Sequence, residues 1–292
     1  MDEVGAKETT STVASPVSRD APTTEVILTF DNLGEAADEE LGLPVDVPHS
    51  SVVEALPRIL SLLDGAGLQA TFFVEAINVS RYPDAVAAIL EGGHELGCHA
   101  WRHESWHRLA TEARRDVLRR SLAALRSSGA EVCGFRPPGG LLEEADFAGL
   151  REQGVRWVSP AGRQAGVRED VVCLPFAWRD IDAYFFAPVL APLRQADGRS
   201  AEPLSSAQFV EAVQSRIDAS LRSRDNEPLC LVFHPFLYTT AERFEVLAGL
   251  LDRLQRLRVS GDVHVGAGRA AAERIRGRRD LPPPIFDRST WA

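Results

Sequence analysis

Two histidines four residues apart, His99 and His103, lie in the segment GCHAWRHESW at 97–106. On a helix, residues i and i+4 share one face, so two imidazoles at this spacing can bind one metal ion. The same spacing also occurs by chance on helix surfaces, where it has no function. The choice between a metal site and two surface histidines therefore depends on what the rest of the chain brings to the same place.

Four further polar side chains stand where predicted strands end: Asp31, Asn32, Arg136 and His234. In a parallel β/α barrel, the loops that follow the strands converge on one mouth of the barrel. These side chains and the histidine pair are therefore predicted to face a single cavity. A carboxylate, an arginine and three imidazoles in one cavity could bind a divalent ion and transfer protons.

Strands and helices alternate along the chain. The run EVILTF at 25–30 is rich in apolar and β-branched residues, which is typical of a strand buried on both faces of a parallel sheet. A predicted helix, SSVVEALPRILSLLDGAG, follows it and leads to a second strand, QATFFVE. The alternation continues to DVHVG at 262–266 without an internal repeat. The sequence thus predicts an α/β fold, either a parallel-stranded barrel or a sheet covered by helices.

The charge balance limits the classes of partner. The chain has 32 Lys and Arg against 42 Asp and Glu, a formal net charge of -10. Such a surface repels a phosphate backbone and an anionic membrane, and no apolar run approaches the ~20 residues that span a bilayer. We therefore expect neither nucleic acid nor a membrane as partner.

The two ends of the chain differ from its middle. Residues 1–24 are polar, rich in Ser and Thr, and contain no apolar signal segment, so they are predicted to be a disordered leader of a cytoplasmic protein. The domain is predicted to cover 25–275. The tail, 276–292, could wrap around the domain or pack on a partner, and a homo-oligomer is left open. Single, widely spaced cysteines predict buried thiols in a reducing compartment: Cys98, Cys133, Cys173 and Cys230.

Five short segments carry a resemblance to a known family. In order, they resemble the five motifs of the polysaccharide deacetylase family, the NodB-homology domain of carbohydrate esterase family four: TFDN at 29–32, HAWRH at 99–103, RPPGG at 136–140, WRDID at 178–182 and LVFHP at 231–235. The resemblance extends over roughly Glu25 to Val265. It implies a distorted, incomplete parallel (β/α) barrel, here of about seven strands.

The resemblance implies roles for the first three motifs. His99 and His103 match the two histidine ligands of a divalent metal ion, and Asp31 matches the catalytic base. Arg136 matches the arginine that keeps this base ionised and oriented. Asn32 stands where the family has a second acidic residue, also a ligand, so metal affinity should be lower here. Members of the muramic-acid deacetylase type carry the same TFDN and are active, so this departure does not imply loss of function.

The last two motifs imply the remaining roles. His234 matches the general acid, and its tethering carboxylate is Asp182 or, as the weaker alternative, Asp180. Trp178 is expected to line the substrate pocket. Further substrate-binding residues are expected near the other motifs, with Gly139 leaving a wider pocket because the family usually has a bulky residue there: Pro138, Gly139 and Trp101.

The resemblance implies metal-dependent hydrolysis of an amide, typically removal of an N-acetyl group from an amino sugar or an amino-sugar-bearing small molecule. We therefore expect a small-molecule or glycoside substrate. The expected metal is zinc, with cobalt or nickel as alternatives. A cyclic imide or ureide ring-opening amidohydrolase is the nearest rival. A carbohydrate-binding protein that has lost its metal through Asn32 is a rival of another class.

Several neighbouring residues have open interpretations. Glu104 is interpreted as a residue of the site's rim that accepts a hydrogen bond from a ligand imidazole. Trp101 and Trp106 could stack on a sugar or fill the core. The acidic insertion DNLGEAADEELGLPVDVPHSS at 31–51 is interpreted as a solvated loop, although it could also shape the mouth of the cavity.

Overall fold

The computed structural model describes residues 24–223, 227–278 and 281–287. Its strands are β1 (Thr24–Asp31), β2 (Thr71–Val74), β3 (Glu95–Cys98), β4 (Gly134–Phe135), β5 (Trp157–Val158), β6 (Gly162–Gln164), β7 (Gly166–Arg168), β8 (Val171–Cys173), β9 (Leu229–Phe233), β10 (Val263–Gly266) and β11 (Ile285–Phe286). The predicted leader lies outside the described residues, except that Thr24 is the first residue of β1.

Helices connect most of these strands. They are α1 (Ala36–Glu40), α2 (Leu56–Ala66), α3 (Asn78–Arg81), α4 (Pro83–Glu91), α5 (Thr111–Ser127), α6 (Asp146–Glu152), α7 (Asp182–Phe186), α8 (Ala191–Ala196), α9 (Ser206–Arg222), α10 (Ala241–Ser260) and α11 (Gly268–Arg276). Local sequence explains several boundaries. α2 ends where Gly67 takes a left-handed φ of 59°, and α9 begins at a capping box formed by Ser205 and Gln208. None of the described helices is long and apolar enough to cross a membrane.

Nine strands form one curled sheet in the order β10-β1-β2-β3-β4-β5-β8-β7, with β9 also paired to β1. All of these pairings are parallel except that of β7 with β8. No ladder joins β7 or β8 to β9 within the part of the chain that the structure describes, so the barrel does not close. This confirms the predicted α/β class and the incomplete parallel barrel.

The strand β1 pairs with three parallel strands and helps to explain why one end of the barrel collects polar residues. All eight of its residues are buried, and it pairs with β9, β10 and β2. Because these neighbours run parallel to it, the chain leaves each strand at the same edge of the sheet. Stacked rings of Phe30 and Phe72, with centroids 4.9 Å apart, fill the space below that edge.

The structure differs from the sequence prediction in strand number and in the tail. The sheet has nine strands rather than seven, because β5 and β7 have two and three residues and are too short to show an alternating pattern. The sequence left the position of the tail open, and its residues 281–287 pack on the domain. Its strand β11 pairs with β6, and Gly166 lies so close to Pro282 that a side chain there would collide with the Pro282 carbonyl.

Candidate active site

One cavity of about 800 Å³ opens at the carboxyl ends of the parallel strands. Eight of the sequence-predicted residues line it, and six of these follow the ends of β1, β3, β4 and β9: Asp31, Asn32, His99, His103, Arg136 and His234. The rule that strand-end residues of a β/α barrel share one mouth therefore places distant motifs together here.

The two histidines meet through a turn and not on a helix. His99 directly follows β3, and both Ala100 and His103 have left-handed backbone conformations, with φ of 62° and 69°. This reverses the chain within one short segment and brings the two rings to a centroid distance of 4.9 Å, edge to face. The spacing argument thus gave the correct pairing through the wrong local structure.

Burial favours the neutral form of both histidines. Burial lowers the pKa of His99 to about 3, and burial together with the nearby His99 lowers the pKa of His103 to about 3. The Nδ1 atom of His99 lies 2.8 Å from the carbonyl oxygen of Arg136. Because a carbonyl only accepts, Nδ1 carries the hydrogen and the lone pair is on Nε2. A neutral imidazole with an exposed lone pair is the form that binds a metal ion.

A third possible ligand on the same cavity is the side-chain oxygen of Asn32. Its Oδ1 is buried and has no hydrogen-bond donor among the described residues, while its backbone is left-handed, with a φ of 60°. A buried carbonyl oxygen without a partner costs free energy, which a cation would offset. Two neutral imidazoles and this oxygen suit a borderline ion such as Zn²⁺, Co²⁺ or Ni²⁺.

The carboxylate of Asp31 does not complete this ligand set. In residues 24–223, 227–278 and 281–287, no three His, Cys, Asp or Glu side chains are grouped so that they could hold a metal ion. Asp31 instead accepts a hydrogen bond of 2.5 Å from Nη1 of Arg136. The arrangement separates a carboxylate held by arginine from the two histidines and the carboxamide of Asn32.

The side chain of Arg136 is 1% exposed and is fixed at both of its amino groups. Besides Asp31, Nη1 donates to Oγ1 of Thr29 at 2.9 Å, and Nη2 donates to Oγ of Ser159 at 2.8 Å and to Sγ of Cys230 at 3.2 Å. A guanidinium held at four points has little freedom to turn, so it fixes the direction of the Asp31 carboxylate.

Sequence reasoning missed the three residues that hold this arginine. Two of them could have been found from strand periodicity, because Thr29 is two residues before Asp31 and Cys230 is four before His234, on the same face of each strand. The third, Ser159, follows the two-residue strand β5, whose pattern was too short to recognise. All four cysteines are buried, as predicted.

The fifth motif supplies a histidine that a carboxylate holds. Nδ1 of His234 lies 2.5 Å from Oδ1 of Asp182, and the backbone N–H of His234 donates to Oδ2 at 2.7 Å. Burial lowers the pKa of His234, but the charge and hydrogen bond of Asp182 outweigh burial, so the pKa is raised. The alternative partner, Asp180, is instead bound by Arg216 at 2.8 Å.

The predicted substrate-binding residues divide into two groups. Trp178 and Gly139 line the cavity, and Gly139 has a φ of 77° that disfavours a side chain there. Pro138 does not line it, since the preceding residue, Pro137, turns toward the cavity instead. Trp101 does not line it either, because its ring is covered by the guanidinium of Arg120, 3.9 Å from the ring centroid.

The structure corrects the interpretation of Glu104 and decides between the alternatives left open for Trp106 and the insertion. Oε2 of Glu104 accepts from the backbone N–H groups of Trp101 and Arg102, both at 3.0 Å, and so it braces the turn rather than an imidazole. Trp106 fills the core at 1% exposure. The insertion is no plain solvated loop, because it contains α1 and its residues line the mouth of the cavity: Ala37, Asp38, Leu41 and Leu43.

Comparison with known sequences supports the resemblance over the first half of the chain. A sequence model of the family described as Polysaccharide deacetylase matches residues 18–158. Chitin deacetylase 1 of Saccharomyces cerevisiae is 34% identical over 100 residues, which are 34% of this chain and 33% of that protein. A peptidoglycan-N-acetylglucosamine deacetylase of Bacillus cereus is 31% identical over 102 residues, 35% of this chain and 48% of that protein. The chain thus matches less than half of the length of either relative.

Solved structures extend the likeness of the fold over nearly the whole chain. A Mycobacterium smegmatis protein described as a polysaccharide deacetylase has a TM-score of 0.76 at 24% identity, over 95% of this chain and 99% of that one. The allantoinase PuuE has a TM-score of 0.63 at 14% identity, over 89% of this chain and 97% of that one. At these identities the likeness concerns the fold alone.

Proposed function

We propose that the chain is a member of the polysaccharide deacetylase family and that it is a metal-dependent amide hydrolase that removes an N-acyl group from a small molecule. The relatives named above are deacetylases, which hydrolyse amide bonds. One observation carries the proposal for this chain. His99, His103 and Asn32 lie on the same cavity as Asp31 and the opposing His234.

In the proposed mechanism, one group of residues holds the metal ion and another accepts a proton from water. His99, His103 and Asn32 would hold a divalent ion, for which zinc is our first choice. When bound there, such an ion supplies Lewis-acid polarisation of the amide carbonyl and makes water more acidic. Asp31, oriented by Arg136, accepts the proton of the attacking water.

The other half of the site serves the leaving group. An amide anion leaves poorly, so the nitrogen must receive a proton before the bond breaks. His234 is the proton donor in this proposal, because Asp182 raises its pKa and holds the ring through Nδ1. Its Nε2 is then the atom that donates to the departing amine.

The proposal is tested by metal content and amide cleavage in one experiment. The purified protein is expected to bind about one equivalent of Zn²⁺ or Co²⁺, and to release acetate or a free amine from an N-acyl substrate only in that state. A chelator should abolish the release, and added Zn²⁺ should restore it. His103→Ala should lose both metal and activity, while the matched variant His264→Ala, which changes a half-exposed histidine bound to Glu25, should keep both.

Three outcomes separate the candidate functions. Cleavage of a cyclic imide or ureide without cleavage of any acyclic amide would assign the ring-opening rival. A protein that binds no metal and cleaves none of these compounds would be a non-catalytic member of the family. The cytoplasmic location, the oligomeric state and the identity of the metal stay predictions.

Replacing Asp182 is expected to change the pH dependence of cleavage. In the wild type the imidazolium of His234 persists above its usual range, and activity falls as the pH rises through its raised pKa. Asp182→Asn removes the opposing charge, so burial dominates and the pKa of His234 falls. The alkaline limb of the kcat profile should then move to lower pH. Asp180→Asn, which changes the carboxylate paired with Arg216, should leave the limb in place. An unmoved limb in Asp182→Asn would remove His234 from the acid role.

A further inference from the structure

Apart from its catalytic floor, the cavity has mostly apolar walls. Two segments supply much of this surface. The insertion that contains α1 contributes Leu41 and Leu43, and the stretch from α7 through the turn Pro188–Leu190 contributes Phe186, Val189 and Leu190. Phe236, which follows β9, also lines the cavity. Apart from the residues of the floor, the charged side chains that line the cavity are Asp38 and Arg243. Each of them already has a partner in the protein. Asp38 contacts His49, and the Arg243 guanidinium lies 4.6 Å from the centroid of the Phe186 ring.

Exposed apolar side chains are concentrated at the mouth of this cavity. Leu41, Leu43 and Val189 are 40%, 47% and 40% exposed, and all three line it. They are among only eight large hydrophobic residues that are exposed in the described part of the chain. Leaving such surface in water is unfavourable, and a cluster of it at a concave site is typical of a place that an apolar ligand covers.

A sugar chain does not match these walls. Amino sugars carry a hydroxyl group on most of their carbons, and each buried hydroxyl needs a hydrogen-bond partner. The upper walls offer mainly Leu, Val, Phe and Pro side chains, and a proline has no backbone N–H to donate. Only the floor is rich in polar groups, and these are assigned to the amide itself.

We propose that the substrate carries an alkyl or aryl group next to the scissile amide, and that this group packs between the insertion and the turn that contains Val189. The inference rests on the proposed amide hydrolysis and specifies its substrate class, a compact amphipathic amide of drug-like size rather than a polysaccharide strand. The polar end of the amide reaches the floor of the cavity, and the apolar group displaces water from the walls.

The test compares matched substrates on the metal-loaded protein. Two substrates, N-acetylglucosamine and its tetramer, carry no large apolar group. N-octanoylglucosamine carries one on the acyl side of the amide bond, and N-acetyl-4-phenylbutylamine carries one on the amine side. At least one of the two apolar amides should have a kcat/KM about 10- to 100-fold above that of N-acetylglucosamine, the gain expected from burying a few methylene groups. A tetramer cleaved as fast as the better apolar amide would overturn the inference and leave the proposed amide hydrolysis intact.

Two variants, each of which introduces a carboxylate, test whether the preference for the apolar amide depends on this wall. Val189→Glu places a carboxylate on the apolar wall and should lower the ratio of kcat/KM for the apolar amide to that for N-acetylglucosamine by about 10-fold. Val259→Glu makes the same change at a valine near the end of α10, 75% exposed and away from the cavity, and should leave the ratio unchanged. An equal ratio in both variants would overturn the assignment of this wall.

Binding distinguishes failure of the inference from failure of the proposed function. If no amide is cleaved, the hydrolase proposal fails, and calorimetric titration with N-octanoylglucosamine decides the nature of the cavity. If Val189→Glu weakens this binding and Val259→Glu does not, the walls still bind an apolar ligand. Absence of binding, or binding that ignores both variants, would overturn it.

Discussion

Asp31→Asn is expected to lower kcat by about 10²–10⁴-fold, the usual contribution of a general base, while the bound metal stays at the wild-type level. The carboxamide can still accept the hydrogen bond from Arg136, but it cannot take a proton from water at neutral pH. Steady-state cleavage of an N-acyl substrate, together with metal analysis of the same sample, measures both quantities.

The neighbouring substitution Asn32→Ala separates the base from the ligand. It removes the buried Oδ1 that has no described donor, so it should weaken metal binding and leave turnover of the fully loaded protein less affected. Asp31→Asn and Asn32→Ala thus predict opposite patterns of metal and turnover. If Asp31→Asn lost the metal instead, Asp31 would be a ligand and the division of roles at the end of β1 would be wrong.

The positions of the candidate site residues were predictable because strand ends in a parallel barrel share one mouth. Asp31, His99, Arg136 and His234 all directly end or follow strands, and the structure brings them to one cavity. The order of the motifs also predicted the Asp182 partner of His234 better than its neighbour Asp180. These features depend on strand register and short-range sequence, which a single sequence carries.

Features that depend on distant packing could not be predicted. The pattern LGLPVDV at 41–47 has no helical or strand period, so nothing in it indicated that Leu41 and Leu43 would line the cavity. Trp101 was expected to meet substrate, but its place under Arg120 depends on how α5 packs on the turn. The apolar wall that Leu41 and Leu43 contribute therefore emerged only from the structure.

Arg136→Met is expected to destabilise the fold by about 3–5 kcal/mol, because it leaves the carboxylate of Asp31 buried at 5% exposure without its cation. Methionine fills most of the vacated space but cannot donate to Thr29, Ser159 or Asp31. Urea unfolding of the chelator-treated protein measures this loss without a contribution from bound metal.

The double variant Asp31→Asn/Arg136→Met shows whether the loss comes from the unpaired charge or from the missing hydrogen bonds. If the isolated carboxylate is the main cost, neutralising it should recover stability, and the double variant should unfold at a higher urea concentration than Arg136→Met. Additive losses from the two substitutions would mean that the pair is not energetically coupled and that Thr29, Ser159 and Cys230 hold the arginine for packing. Coupled losses would mean that the fold itself requires the charged pair on which the proposed base depends.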